Sequence, residues 1–342
     1  MTVAPGEDSI PIRYRDAFGV LRETKLTMEN DLALPGGALP SRVVTDGAGR
    51  RLVQKWVPRH AGAVTPSLYN CLDAEVRAGT RFRQVYDGRF PDELPELYGY
   101  NVDLWEPFVL FVEYRGQPAA GSGLPEVAAM QPYRAQVALL RALKFAATAD
   151  IVHGRVAIEA LRWDGVTVQL VDFEHAVRAG ETRLAAGPAA AALPEQFAGT
   201  GVADVRDDIW RAGFVLRQLT LGTLMTDQPA DTSTDPPALR HLLSGVFAPT
   251  PEQRPHAAEL LARLGADDPV ATAPDLNDEL MSGRRLFESK LAEKHVRGSP
   301  APVKRSPAKG RLASAHFSVL RVLGIGLALA MLVLVIVYLV IS

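Results

Sequence analysis

The sequence lacks the features that mark secreted proteins and proteins that bind nucleic acids. Its 342 residues include a single cysteine, Cys71, so no disulfide can form within the chain, which agrees with a reducing cytosol. Residues 1–8 contain neither a basic nor an apolar segment, so we expect no signal peptide. The net charge is only −2, which would not attract a polyanion, and we therefore predict no nucleic-acid partner.

The composition is that of a globular protein, with 47% hydrophobic and 22% charged residues, and the chain is long enough to bury a large core. Local patterns predict a regular series of elements. Strands are expected at about 10–14, 21–26, 52–57 and 108–114, a hairpin turn at 46–49, and helices from Thr65 onward and over 131–150. In the first of these helices, Leu68, Cys71, Leu72 and Val76 share one face.

A further strand is predicted by the alternation of Val166, Val168 and Leu170 with polar residues, after a turn at Asp164-Gly165. The segment before this strand begins with His153-Gly154-Arg155, and the segment after it is Asp172-Phe173-Glu174.

These two segments resemble the catalytic loop (H-R-D-L-K-P-x-N) and the D-F-G motif of the bacterial eukaryotic-type, or Hanks-type, serine/threonine protein kinases. Other matches lie along the chain: Lys55 as the strand lysine, Glu75 as the helix glutamate, Leu193-Pro194-Glu195 for A-P-E, Asp208-Ile209-Trp210 for D-x-W, and Arg254-Pro255 in the closing helix. The resemblance implies an α+β, two-lobed protein-kinase-like fold over residues 1–265. Its β-rich small lobe would cover about 10–115 and its α-rich large lobe about 116–265.

Groups that move a phosphate in this family are missing here. The position of the catalytic base holds Arg155, a permanent cation, and the positions of the lysine and the asparagine hold Ala157 and Ala160. Asp172 remains as a candidate magnesium ligand, but Glu174 replaces the glycine that follows Phe173. The resemblance therefore implies a pseudokinase.

Several residues are candidates for a retained nucleotide site. Gly36 and Gly37 fall where the family has its glycine-rich loop, although Leu39 and Pro40 occupy the later part and Pro-Gly-Gly alone is typical of a turn. Lys55 and Glu75 would form the family's ion pair, or Lys55 would be an ordinary surface lysine. Glu113 and Arg115 follow the strand that would lead into the adenine-binding hinge. The cofactor prediction is accordingly ATP with Mg²⁺, or no cofactor.

The resemblance assigns structural roles to five further residues. His153 would pack beneath Phe173, Asp208 would hold the backbone of the catalytic-loop segment, and Arg254 would form a buried ion pair with Glu195. Thr182 is the one hydroxyl in residues 178–192, where the family has its activation loop.

The C-terminal part has a different composition. Residues 266–321 are predicted to be a partly disordered linker with a basic end, and a short amphipathic helix is expected at 280–295. Residues 322–341 are uncharged and almost wholly apolar, which predicts one transmembrane helix. Because the basic flank precedes this segment, we expect the kinase-like domain at the cytoplasmic side of a cell membrane.

The sequence thus predicts a membrane-anchored regulatory or scaffolding pseudokinase that binds the membrane and other proteins. One alternative is an active or weakly active ATP-dependent serine/threonine kinase with an atypical catalytic loop, in which Glu159 or Glu174 replaces the lost base. A second alternative is a small-molecule kinase, because His153-Gly154 is similar to the H-G-D of aminoglycoside-type phosphotransferases. The matches at Asp208 and Arg254 oppose this second alternative.

Overall fold

The computed structural model describes residues 9–120, 131–183, 193–197, 201–222, 232–270 and Ser289. The chain divides into two compact units, Met1–Met281 and Ser282–Ser342. The helices and strands with described bounds lie in the first unit.

Six strands in the N-terminal third close into a barrel in the order β1-β2-β3-β4-β6-β5. Adjacent residues of one strand point to opposite faces, so Leu52 and Val53 belong to two different core clusters. Tight turns join the strands, and at one of them Gly49 adopts a φ of +80° and donates to the main-chain oxygen of Asp46. The strands are β1 Ser9–Arg15, β2 Leu21–Asp31, β3 Ser41–Asp46, β4 Arg51–Trp56, β5 Leu97–Asn101 and β6 Phe108–Val112.

The barrel closes where β1 meets β5, and this junction is narrow. The two strands pair at Arg15 and Tyr100. The side-chain amide of Asn101 donates to the main-chain oxygen of Arg13 at 2.7 Å. The other neighbouring strands pair over four to seven positions each, as β1 does with β2. Closure therefore depends on contacts between residues that are far apart in the sequence.

Two helices follow β4, α1 at Arg59–Val64 and α2 at Ser67–Val85. Cys71, Leu72 and Val76 of α2 are buried against Val53 and Phe111 of the barrel, which confirms the predicted apolar face. Helix α2 begins two residues after Thr65, the predicted cap, but the side chain of Thr65 does not cap the helix. The main-chain oxygen of Thr65 accepts the N–H of Leu68 at 3.1 Å instead.

Helices, one small three-stranded sheet and one strand pair make up the rest of the described unit. Their largest core cluster joins Phe82 of α2 to apolar residues of the later helices, including Leu140, Leu216 and Leu260. The short strands are β7 Gln117–Pro118, β8 Ile151–Val152, β9 Leu161–Trp163, β10 Val168–Leu170 and β11 Val177–Arg178; the helices are α3 Pro132–Thr148, α4 Pro194–Phe197, α5 Asp207–Leu221, α6 Pro237–Leu242 and α7 Ala257–Arg263.

The predicted fold class is wrong. A two-lobed protein-kinase-like fold with a transmembrane helix was expected, whereas the described residues form a closed six-stranded barrel followed by helices and short strands. Motif residues indicate where single elements lie. The barrel is closed by the pairing of Arg15 with Tyr100, and the sequence around neither residue predicts that contact. In the described part of the chain, no helix is long and apolar enough to cross a membrane. The predicted span at 322–341 and most of the predicted helix at 280–295 lie outside the described residues.

Several local predictions are confirmed despite this. The strands expected at 10–14, 21–26, 52–57 and 108–114 correspond to β1, β2, β4 and β6. The helix expected over 131–150 is α3, and the strand after the Asp164-Gly165 turn is β10. Val166, however, is 74% exposed and precedes that strand.

Candidate functional site

The most unusual side-chain cluster in the described residues surrounds Lys55 on β4. The lysine is fully buried, and its ammonium contacts three carboxylates. Its Nζ lies 2.6 Å from Oε1 of Glu75 on α2, 2.5 Å from Oδ1 of Asp172, and 3.0 Å from Oε1 of Glu174. The expected pair with Glu75 is thus present, within a group of one cation and three anions. These four residues are termed the lysine cluster.

Burial and charge act in opposite directions on the lysine cluster. Burial alone would lower the pKa of Lys55, but Glu75, Asp172 and Glu174 raise it well above its ordinary value, so the ammonium stays charged. Burial raises the pKa of Glu75 to about 7, against the lowering effect of Lys55. Near neutral pH, Glu75 therefore exchanges a proton while the lysine does not.

Further polar atoms near the lysine cluster are buried without a hydrogen-bond partner among the described residues. They are Oε2 of Glu75, Oδ2 of Asp172 and the hydroxyl of Tyr114. Burial raises the pKa of Tyr114 well above its ordinary value, so this hydroxyl keeps its proton. A buried polar atom without a partner has a real free-energy cost, and such atoms concentrate here at the centre of the candidate site.

Glu174 connects the lysine cluster to the loop between β2 and β3. Its Oε2 accepts the main-chain N–H of Ala38 at 2.6 Å, and its Oε1 accepts that of Leu39 at 3.3 Å. The loop lies so close that a Cβ added to Gly37 would be 3.1 Å from Oε1 of Glu174. Two main-chain donors of this loop, those of Ala38 and Leu39, are therefore bound to the protein's own carboxylate.

Arg155 holds the same loop from a second direction. Its Nη1 donates to the main-chain oxygen of Gly36 at 2.9 Å and lies 3.4 Å from Nε2 of His175. Burial, with a further contribution from Arg155, lowers the pKa of His175. Arg155, in the position expected for a base, thus fixes Gly36, and a guanidinium cannot accept a proton.

A small cavity remains between Arg155, Gly36 and Asp172. Its volume is about 40 Å³, and Ala157, Glu159 and Ala160 complete its lining. A water molecule occupies about 30 Å³ of liquid, whereas pockets for cofactors measure roughly 300–1,000 Å³. The cavity can accept a water molecule or a small ion, and the triphosphate of a nucleotide does not fit.

The segments around Asp172 are held by a buried framework. The main-chain N–H groups of His153 and Gly154 donate to the carboxylate of Asp208 at 2.6 and 2.9 Å. Nε2 of His153 donates to the main-chain oxygen of Val171 at 2.9 Å, and its ring lies 4.6 Å from that of Phe173. Burial lowers the pKa of His153 to about 4, so the ring is neutral at pH 7.

A second framework pair lies away from the lysine cluster. Nη2 of Arg254 lies 2.6 Å from Oε1 of Glu195, and its Nη1 lies 3.4 Å from Asp207. Arg254 also stacks over the ring of Trp210. Removing one partner from such a buried pair costs about 3–5 kcal/mol of folding free energy, so these contacts stabilise the fold around the site.

Not every candidate residue belongs to this arrangement. Glu113 pairs with Arg51 at 2.6 Å, and Arg115 pairs with Asp92 at 2.7 Å. Both side chains are more than one-third exposed. The residue between them, Tyr114, is buried near the lysine cluster.

Glu174 and Arg155 make contacts that the sequence did not predict. Glu174 was interpreted as the loss of a glycine, and Arg155 as the loss of a base. The available signal was their charge: a cation and an anion stand where the resembling kinase motifs have a carboxylate and a glycine, beside a glycine-containing loop. Their partners, Ala38 and Gly36, are more than 115 residues away in the sequence.

The arrangement also bears on metal binding. Oxygens of Glu75, Asp172 and Glu174 lie within 4.8 Å of one another, which is compatible with a metal ion. However, the ammonium of Lys55 already contacts all three carboxylates. In this conformation, the residues therefore do not fit ATP with Mg²⁺, and no chemical step through that pair follows from the geometry.

Comparison with known proteins does not assign the chain to a family. No protein-family model matches the sequence, and no curated protein shows a significant match.

Proposed function

We propose that this protein, whose sequence motifs resemble those of the Hanks-type serine/threonine kinases although its fold differs, has no phosphotransfer activity and acts as a regulatory or scaffolding protein by binding other proteins. The resemblance rests on the sequence motifs, and the absence of activity is inferred from the site. Location at a cell membrane, with residues 1–265 in the cytoplasm, stays a prediction from the sequence alone.

One observation carries the proposal: the protein's own side chains satisfy the groups that would bind a nucleotide. Lys55 contacts three carboxylates, and Glu174 accepts the main-chain N–H groups of Ala38 and Leu39. ATP would have to displace these contacts and find room beside Arg155, whose charge is of the wrong kind for a base. A protein with such a site can keep a surface for partners without turning over ATP.

The alternative of a weakly active kinase has one specific observation in its favour. Glu159 lines the same small cavity as Asp172, so it is the carboxylate placed best to replace the lost base. Glu174 is less suitable because its oxygens are engaged by Lys55 and the loop.

Phosphotransfer from labelled ATP to the full chain and to a general acceptor protein separates these functions. The proposal predicts no incorporation by the wild type and none by Asp172→Asn or Glu159→Gln. Incorporation by the wild type that is lost in both variants would establish the weakly active kinase and refute the proposal. Incorporation that persists in both variants would indicate a contaminating kinase, and a separate preparation of each protein controls for this.

Substitutions that restore catalytic groups provide a sharper version of the experiment. Arg155→Asp with Ala160→Asn restores the missing base and the missing asparagine but leaves Glu174 bound to the loop. We expect activity only when Glu174→Gly is added, because that change releases the N–H groups of Ala38 and Leu39. Equal activity with and without Glu174→Gly would contradict the part assigned to Glu174.

A further inference from the structure

A groove on the side of α2 is lined by positive charge. Arg77 and Arg81 lie on successive turns of α2, and Arg178 comes from β11. The groove has a volume of about 350 Å³, and among its described lining residues the charged ones are these three arginines and Glu181. The side chains of Arg77 and Arg178 are about half exposed. This surface is termed the arginine groove.

The arginines of this groove already hold carboxylates. Arg77 pairs with Glu181, whose other oxygen accepts the main-chain N–H of Arg178 at 3.2 Å. Arg81 and Arg178 share Oδ2 of Asp150, at 3.2 and 3.9 Å. A guanidinium carries five N–H donors in a planar fork that matches a carboxylate or a phosphate. Nε of Arg81 also donates to the main-chain oxygen of Ala149 at 3.0 Å. These partners use only part of the donor capacity of three guanidinium groups.

The remaining lining suits a peptide segment. Apolar contact is provided by residues such as Ile151 and Val177 from the two short strands β8 and β11. Thr80 also lines the groove, but its hydroxyl is buried. The groove therefore combines excess positive charge with an apolar surface.

We propose that the arginine groove binds an anionic segment of a partner protein, whose carboxylates or phosphates pair with Arg77, Arg81 and Arg178. This inference rests on the proposed function as a partner-binding protein and names the chemistry of the partner. The lysine cluster takes no part in it, so binding in the groove requires neither a nucleotide nor a metal ion.

Fluorescence anisotropy of the full chain with labelled peptides tests the inference. The first probe is a short peptide of alternating glutamate and alanine, the second has glutamine in place of glutamate, and the third has phosphoserine. The glutamate peptide should bind about tenfold or more tightly than the glutamine peptide, and binding should weaken as salt is added. If the phosphoserine peptide binds about tenfold tighter again, the partner segment is phosphorylated rather than acidic.

Variants locate the binding. Arg77→Ala with Arg178→Ala should weaken binding of the glutamate peptide about tenfold or more. Because both side chains are about half exposed, this variant should remain folded, and circular dichroism can check this. If the double variant does not fold, the single variant Arg178→Glu takes its place. Arg13→Ala is the matched control, since Arg13 is an exposed arginine paired with Glu23 on the barrel.

Three results would overturn the inference: no binding of either anionic peptide, equal binding of the glutamate and glutamine peptides, or equal losses in the groove variant and in Arg13→Ala. None of these bears on phosphotransfer, so failure here is distinct from failure of the proposed function. Labelled-ATP incorporation refutes the proposed function, whereas peptide binding tests the groove.

Discussion

Removal of the ammonium from the lysine cluster should destabilise the protein strongly. Lys55→Met keeps most of the volume of the side chain but leaves Glu75, Asp172 and Glu174 buried without a cation. Breaking a buried ion pair by removing one partner typically costs about 3–5 kcal/mol. For a unit of this size, where about 1 kcal/mol corresponds to about 2–4 °C, the midpoint of thermal unfolding should fall by roughly 6–20 °C.

The pH dependence identifies the cause of this destabilisation. The pKa of Lys55 is raised well above its ordinary value, so the ammonium keeps its charge and its own titration contributes stability that is fully present below pH 10.5. Burial raises the pKa of Glu75, so in the variant this carboxylate becomes neutral as the pH falls and no longer repels the other two. The difference in the free energy of unfolding between wild type and variant should therefore shrink from pH 8 to pH 5.

Urea unfolding of the full chain, followed by tryptophan fluorescence at several pH values, provides the measurement. Lys25→Met is the matched control, because Lys25 is exposed on β2 and its loss should change stability by less than about 0.5 kcal/mol. A loss below about 1 kcal/mol for Lys55→Met, or a loss that does not depend on pH, would refute the reasoning.

Other predictions concern the buried ion pair of Arg254, the pKa of Glu75 and the backbone at Gly154. Arg254→Ala should cost about 3–5 kcal/mol in urea unfolding, whereas Arg22→Ala, which breaks an exposed pair with Asp16, should cost less than about 1 kcal/mol; equal losses would contradict the buried pair. Burial raises the pKa of Glu75 from 4.5 to about 7, so its contribution to stability is lost as the pH rises from about 4.5 to 7. Glu75→Gln should flatten the stability profile in this window by on the order of 3 kcal/mol, and an unchanged profile would exclude that pKa. Gly154→Ala should destabilise more than Gly49→Ala, because both have positive φ but only at Gly154 would the Cβ lie 2.6 Å from a main-chain oxygen, that of His175. Equal thermal shifts would contradict this clash.

Local pattern was sufficient for part of the fold. The strand pattern of residues 52–57 and the helical spacing of Leu72 and Val76 predict β4 and α2, whereas the pairing of Lys55 with Glu75 is what the kinase resemblance implies; that ion pair is present. Periodicity succeeds for α2 because the apolar residues of this helix recur at helical spacing in its own sequence, while β4 is buried on both faces.

Closure of the barrel could not be predicted in the same way. It depends on Arg15 and Tyr100, which are separated by most of the barrel, and neither residue type signals the contact. The two-lobed fold was inferred from motif positions, and such positions carry no information about strand order.

The contacts within the candidate site could not be predicted from local sequence patterns either. Glu174 is conspicuous in the sequence because it follows Asp172-Phe173, but its interactions with Ala38 and Leu39 depend on how a distant loop returns. Similarly, the loss of a base at Arg155 was apparent, whereas its hydrogen bond to Gly36 was not. A substitution shows which chemistry is lost; the new partner of the substituted side chain requires three-dimensional structure.

If the protein's own side chains fill the site and exclude a nucleotide, ATP with Mg²⁺ should not stabilise the protein. Thermal unfolding of the full chain with and without ATP and Mg²⁺ measures this, with Asp172→Asn as the comparison. A ligand at about 100 times its dissociation constant adds about 2.7 kcal/mol of stability. The account predicts no shift for either protein at any ATP concentration used. A magnesium-dependent rise in the wild type that is absent in Asp172→Asn would contradict it.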